Sequence, residues 1–107
     1  MTKCVTVLYP NTDGVRFDFD YYVKHHLPMI QRAHGPAVSS IVLRRGTETP
    51  DGGKPPYVAT LTITIRDQAA FDRNEEVHRD GMIADVPNFS NVFPVIQIDE
   101  IVANEAS

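Results

Sequence analysis

Several features are scarce or missing in this chain of 107 residues. Cys4 is the single cysteine, which excludes an intrachain disulfide. Lysine and arginine form no run longer than Arg44-Arg45, and the net charge is −4, so we expect no nucleic-acid partner. No apolar run approaches the roughly 20 residues that a membrane span requires, so we expect no membrane association.

The beginning of the chain also lacks the apolar core of a signal peptide, since residues 1–5 lead directly into a strand-like pattern. In the absence of targeting signals we expect a cytoplasmic protein. Hydrophobic residues make up 42% of the chain and charged residues 22%, a balance typical of a folded protein rather than a disordered one. The length suits a single domain over residues 1–107 with one core.

Motifs of several common chemistries are absent as well. No Gly-x-Ser-x-Gly or Cys/His pattern predicts a nucleophile, and Gly52-Gly53 lies in a proline-rich loop rather than in a phosphate-binding one. The four histidines match no zinc-ligand spacing. No haem attachment motif occurs, although one histidine would suffice as an axial ligand. We therefore expect no metal and no cofactor.

The elements that the sequence does contain follow the order βαββαβ. Period-two alternation and β-branched content predict strands near residues 5–9, 38–46, 57–65 and 95–102. Asp18 is the predicted N-cap of a helix that ends at about His34, and Asp67 is the predicted N-cap of a second helix. Residues 79–93 have no clear pattern. This order predicts a ferredoxin-like α+β fold, with a four-stranded antiparallel sheet and both helices on one face.

The other face of such a sheet would be left uncovered. The last strand carries apolar side chains on both of its sides, with Val95 and Ile101 on one and Ile96 and Ile98 on the other. Burial of apolar surface contributes roughly 25 cal/mol per Å². Pairing of two copies would therefore be favourable, and we expect a homodimer.

The most informative segment is Tyr21-Tyr22-Val23-Lys24-His25-His26-Leu27-Pro28-Met29. In a helix, Tyr22 and His26 share a face because they are four residues apart. An imidazole with an ordinary pKa of about 6.5 can hold or release a proton near neutrality. The helix would carry a semi-polar stripe of Tyr22, His26, Met29 and Ala33, beside an apolar stripe of Val23, Leu27, Ile30 and His34 that packs on the sheet. The alternative is a Tyr–His pair that only satisfies its own hydrogen bonds.

Pro28 and the remaining histidines of this helix have plainer explanations. Pro28 cannot donate to the carbonyl of Lys24, so the helix should bend or restart there. His25 is rotated by about 100° from His26 and should face solvent or a subunit boundary. His34 lies at the end of the helix, where a positive charge is favoured.

A second candidate region is Asp85-Val86-Pro87-Asn88-Phe89-Ser90-Asn91. Its polar side chains interrupt an otherwise apolar stretch, and apolar walls with a few polar groups are typical of small-molecule pockets. The alternative is a loop in which asparagine and aspartate side chains bond to the nearby backbone.

Together these two segments resemble the EthD-like family. Phe17-Asp18-Phe19-Asp20-Tyr21-Tyr22 followed by His26-Leu27-Pro28-Met29 is similar to the first-helix signature of that family. The later stretch 84–91, which runs into Pro94-Val95, resembles the family's segment before the last strand. The family takes its name from a protein linked to ethyl tert-butyl ether degradation. It belongs to the dimeric α+β barrels, so the resemblance implies ferredoxin-like subunits that pair.

The resemblance implies a fold more sharply than a reaction. The wider superfamily includes cofactor-free monooxygenases, polyketide cyclases, lactone isomerases, dehydratases and haem enzymes. We expect a cofactor-independent isomerase, cyclase or monooxygenase that acts on a small apolar or aromatic carbonyl compound by histidine-mediated proton transfer. The expected catalytic pair is His26, as general acid or base, and Tyr22. The expected substrate-binding residues are Asp85, Asn88, Phe89 and Met29. The alternative is a non-catalytic dimer that binds a small hydrophobic ligand or assists a neighbouring catabolic enzyme.

Overall fold

A computed structural model of the chain describes residues 1–105. The strands are β1 (Lys3–Pro10), β2 (Val38–Arg45), β3 (Tyr57–Ile65) and β4 (Val95–Glu100). The helices are α1 (Phe19–Tyr21), α2 (Leu27–His34) and α3 (Gln68–Asp85). A π-helical turn (Tyr22–His26) joins α1 to α2, and short 3₁₀ turns follow α2 (Gly35–Ala37) and α3 (Val86–Asn88).

The four strands form one antiparallel sheet in the order β2-β3-β1-β4. Val5 of β1 lies opposite Ile63 of β3 on one side and opposite Ile98 of β4 on the other. The predicted ferredoxin-like α+β fold is therefore confirmed. The stretch 79–93 that lacked a clear pattern completes α3 and then turns into β4.

The core lies between the sheet and the helices. Alternate strand residues point toward the helices, because successive side chains of a strand face opposite sides. The buried members of this set are Val5, Val7, Tyr9, Ala59, Leu61, Ile63 and Ile65. The opposite face of the sheet is mixed: it exposes Val42 and Val95 among the hydroxyl and charged side chains of Thr6, Thr60, Thr62, Thr64 and Asp99.

The π-helical turn determines which side chains of the first helical segment are buried. The helix begins at Asp18, whose side chain accepts a hydrogen bond from the Tyr21 backbone at 3.0 Å. Leu27 N–H then donates to the carbonyl of Tyr22, five residues back, which is the π-helical pattern. Pro28 follows in the first turn of α2, where its missing N–H is tolerated. The predicted restart of the helix at this proline matches the structure.

The wider turn brings residues four apart into line. Tyr22, His26, Ile30 and His34 are all buried, whereas Val23 is 52% exposed. The prediction that Val23 packs on the sheet is therefore wrong. A π-helical turn holds more residues than an α-helical one, so the buried face starts on the semi-polar stripe at Tyr22 and His26 and continues on the other stripe at Ile30 and His34.

α3 covers the sheet loosely. Asp67 caps it by accepting a hydrogen bond from the Ala70 backbone at 3.1 Å. Phe71 is its one buried residue, and a cleft separates the rest of α3 from β1 and β4. Within residues 1–105, none of the helices has the length and apolar character that a membrane crossing requires.

Candidate active site

The cleft between α3 and the β1–β4 half of the sheet has a volume of about 640 Å³. Pockets for small molecules have volumes of about 300–1,000 Å³. The apolar wall includes Val5, Val7, Leu61, Ile63, Phe71 and Met82. The polar side chains are Lys3, Tyr9, Tyr22 and His26 at one wall and Gln68, Asp72, Glu75 and Arg79 of α3 at the other. A shallower surface depression of about 800 Å³ beside Gly35–Ala37 includes neither Tyr22 nor His26.

His26 forms a nearly buried pair with Asp85, the last residue of α3. Nδ1 of His26 lies 2.9 Å from Oδ2 of Asp85, and the two side chains are 7% and 11% exposed. An ionised carboxylate can only accept, so Nδ1 carries the proton and donates it to this bond. Nε2 then keeps its lone pair, and it makes no hydrogen bond within residues 1–105. Since the ring lines the cleft, His26 can accept a proton from a bound molecule.

The carboxylate of Asp85 is held by three donors. Tyr21 donates its hydroxyl to Oδ1 at 2.6 Å, and Asn88 donates its amide to the same oxygen at 3.0 Å. Burial by itself would raise the pKa of Asp85, but the hydrogen bonds from Tyr21, Asn88 and His26 outweigh it and hold the pKa below its usual range. Asp85 is therefore an anion at neutral pH and fixes the orientation of His26.

The environment of His26 favours the neutral imidazole. Burial lowers the pKa of His26, and the hydrogen bond and negative charge of Asp85 oppose this effect without cancelling it. The ring is also enclosed by aromatic side chains, with centroid distances of 4.8 Å to both Tyr22 and Phe89. A neutral, oriented histidine is the form that acts as a general base.

Tyr22 lies beside His26 and lines the same cleft, so the structure brings this predicted pair together. Burial raises the pKa of the Tyr22 phenol, which keeps its proton at neutral pH. Tyr9 lines the cleft too, and burial raises its pKa likewise. The site therefore contains two phenols that can donate hydrogen bonds to a ligand oxygen.

The phenol that bonds to the His–Asp pair is Tyr21, which the sequence analysis did not select. Tyr21 precedes His26 by five residues, a spacing that in a regular α-helix points the two side chains in different directions. The π-helical turn between them reduces that rotation, and both side chains reach Asp85. Pro28 just after the motif was the signal in the sequence that could have indicated this distortion.

The other predicted substrate-binding residues take different positions. Phe89 is fully buried and packs behind His26 without lining the cleft. Asn88 donates a hydrogen bond to Asp85, which in turn holds His26. Phe89 and Asn88 therefore position His26 from the side away from the cleft. Met29 lines a separate hollow of about 300 Å³ that it shares with Arg32 and Val77.

The remaining histidines divide into exposed and buried ones. His25 and His78 are exposed. His34 is buried rather than solvated at its helix end, and its Nε2 lies 2.8 Å from Oε1 of Glu75. Among residues 1–105, no group of three or more histidine, cysteine, aspartate or glutamate side chains is arranged to hold a metal ion.

Two solved structures show what the whole chain is similar to. An EthD-like protein of Ralstonia eutropha JMP134 is 29% identical, with 98% of this chain and 96% of that chain covered and a TM-score of 0.89. An EthD family protein of Bacillus halodurans C-125 is 18% identical, with 95% and 100% covered and a TM-score of 0.71.

More distant structures share the fold alone. A dimeric ferredoxin-like protein of Thermobifida fusca YX is 10% identical, with 94% of this chain and 90% of that chain covered and a TM-score of 0.56. No family profile and no curated protein sequence matches the chain.

Proposed function

Since this chain is an EthD-like protein, as its two motifs predicted, we propose that its cleft binds a small apolar or aromatic carbonyl compound. His26 then transfers a proton of the bound compound, and the reaction needs no cofactor. One observation carries the proposal: Nδ1 of His26 donates to Asp85 at 2.9 Å while the same ring lines the cleft. This arrangement leaves the basic Nε2 available to a bound molecule.

The proposed step is the removal of a proton from the carbon next to the carbonyl group. The proton moves to Nε2 of His26, and the electron pair of the C–H bond forms a carbon–carbon double bond. The π electron pair of the carbonyl group moves onto its oxygen, which gives an enolate. Asp85 stabilises the resulting imidazolium, and the Tyr22 hydroxyl donates to the enolate oxygen. In a conjugated ketone, return of the proton from His26 to the far carbon of the dienolate completes an isomerisation. Attack of the enolate carbon on a second carbonyl group of the substrate closes a ring and gives an alkoxide, which takes the proton back from His26. General base catalysis of this kind contributes roughly 10²–10⁴-fold.

The adjacent histidines provide a matched test. The probe is 2-tetralone, an aromatic ketone, and the measurement is deuterium uptake at the carbon next to its carbonyl group in D₂O by NMR. The protein should accelerate uptake above the buffer rate. His26→Ala should lower that acceleration by about 10²–10⁴-fold, whereas His25→Ala, at an exposed position, should leave it unchanged. Equal rates for the two variants would contradict the assignment of His26.

A non-catalytic binding protein is the second candidate. It is favoured by the low exposure of His26, whose Nδ1 is already paired within the fold. The pH profile separates the two candidates. Catalysis by His26 should rise as the imidazole loses its proton, while affinity for a neutral apolar ligand should be nearly independent of pH.

We also propose that the chain pairs with a second copy. β4 is an edge strand, and its Ile96 and Ile98 are 58% and 59% exposed although both lie on the side that faces the cleft. Exposed apolar side chains that adjoin one another mark contact surfaces. A second copy at this edge would cover them and close the open side of the cleft. The dimeric ferredoxin-like structure of Thermobifida fusca is compatible with this arrangement at the level of the fold.

A further inference from the structure

A second polar centre lies on the α3 wall of the cleft, away from His26. Glu75 of α3 lines the cleft with its side chain 25% exposed. Its Oε1 accepts a hydrogen bond from Nε2 of His34 at 2.8 Å. The His34 side chain is 0% exposed, and its ring stacks on Phe71 with centroids 4.1 Å apart and planes 9° apart. A buried and stacked donor therefore fixes the position of the Glu75 carboxylate.

The other oxygen of this carboxylate, Oε2, faces an arginine of the same helix. Oε2 of Glu75 lies 3.8 Å from Nε of Arg79, which is longer than a hydrogen bond. No donor within residues 1–105 forms a hydrogen bond to Oε2. By contrast, the neighbouring Asp72 is exposed and accepts from Gln68 at 2.9 Å. Glu75 is thus held at Oε1 by His34, while Oε2 is ion-paired with the exposed Arg79 and can still accept a hydrogen bond.

We propose that Glu75, positioned by His34, accepts a hydrogen bond from a hydroxyl group of the ligand. This inference rests on the proposed function and narrows its substrate class to apolar or aromatic carbonyl compounds that also carry a phenolic, enolic or alcoholic hydroxyl. A carboxylate has no donor of its own, so it selects O–H groups over ether or ester oxygens.

The competing explanation is that the His34–Glu75 pair only joins α2 to α3. Such a role would affect folding and the affinity of every ligand alike. A hydroxyl-accepting role would instead affect the ratio of affinities for two ligands that differ in one O–H group. The ratio is therefore the informative measurement.

The test uses 2-naphthol and 2-methoxynaphthalene as probes, with affinities measured by isothermal titration calorimetry on the full chain. The wild-type protein should bind 2-naphthol about ten-fold more tightly or better, which corresponds to about 1.4 kcal/mol. Glu75→Leu should bring the two affinities to within about two-fold. Glu75→Gln is a second variant in case the leucine variant folds poorly. It keeps the shape of the side chain and one acceptor oxygen, so the ratio of the two affinities should be intermediate. Glu76→Gln, at an exposed position outside the cleft lining, is the control and should keep the wild-type ratio.

The possible results separate this inference from the function on which it rests. Equal wild-type affinities for both probes would overturn the role of Glu75 and leave the apolar binding site intact. A parallel loss of both affinities in Glu75→Leu and Glu75→Gln would assign the pair to structure and also overturn the role. Binding of neither probe would contradict the proposed small-molecule site itself, and with it this inference.

Discussion

Replacement of Asp85 by asparagine should move the proton of His26 from one ring nitrogen to the other. In the wild-type protein, Oδ1 of Asp85 accepts from Tyr21 at 2.6 Å and from Asn88 at 3.0 Å, while Oδ2 accepts from His26 Nδ1 at 2.9 Å. An asparagine keeps the first two bonds if its oxygen takes the place of Oδ1. Its NH₂ group then faces His26, and Nδ1 can form a bond only by accepting. The proton must therefore sit on Nε2, inside the cleft.

Stability and proton transfer should respond very differently to this substitution. Hydrogen bonds to charged groups contribute about 1.5–3 kcal/mol and neutral ones about 0.5–1.5 kcal/mol. All three bonds to residue 85 lose their charged acceptor, so the free energy of unfolding should fall by at least about 1–1.5 kcal/mol. Loss of the basic Nε2 should reduce proton transfer by about 10²–10⁴-fold, because His26 can no longer accept the substrate proton.

The measurements are ¹⁵N NMR of the imidazole nitrogens, urea denaturation and the 2-tetralone exchange rate. Asp80→Asn is the matched control, since Asp80 is an exposed carboxylate on the same helix. It should leave all three quantities unchanged. A wild-type His26 with its proton on Nε2, or an Asp85→Asn variant with the wild-type exchange rate, would refute the reasoning.

Three further predictions follow from burial and from the edge of the sheet. Burial lowers the pKa of His26, so in an NMR titration it should lose its proton below the ordinary value of about 6.5. The free energy of unfolding should therefore rise with pH up to about 6.5, because the unfolded chain binds more protons than the folded chain in this range. A urea midpoint that stays constant from pH 5 to 7 would contradict this expectation. Phe89→Ala should lower the free energy of unfolding by about 3–5 kcal/mol, because this fully buried ring packs on His26 and Tyr22; a loss below about 1 kcal/mol would contradict the packing. In sedimentation equilibrium the wild-type chain should be a dimer and Ile98→Asp a monomer, whereas a wild-type chain that stays monomeric at micromolar concentration would refute the pairing at β4.

The sequence predicts the fold well because its signals are local. Asp18 and Asp67 cap the two helices as expected, since capping depends on residues three positions away. The alternation from Tyr57 to Ile65 predicts both β3 and its buried side. Within residues 79–93, which have no clear pattern in the sequence, α3 continues through Gly81 to Asp85. A single glycine in a helix costs only about 1 kcal/mol relative to alanine, which the rest of the helix offsets.

The candidate site is less predictable because its hydrogen bonds join distant parts of the chain. Tyr21 and His26 reach Asp85 across 64 and 59 residues, and His34 reaches Glu75 across 41. No periodicity relates such positions. Helical spacing paired Tyr22 with His26 correctly, but it could not show that the bonding phenol is Tyr21, because that depends on where the end of α3 lies.

The two edge strands of the sheet, β2 and β4, differ in the side chains that they expose. The outer strand β2 ends in Arg44 and Arg45, both exposed, and charged side chains on an edge discourage the addition of further strands. The other outer strand, β4, also ends in charged residues, Asp99 and Glu100, but it presents the exposed Ile96 and Ile98 on the side of the cleft. Association that can occur at only one edge closes after two copies, whereas two receptive edges would allow open-ended growth into fibres. The pairing proposed at β4 would therefore stop at two copies.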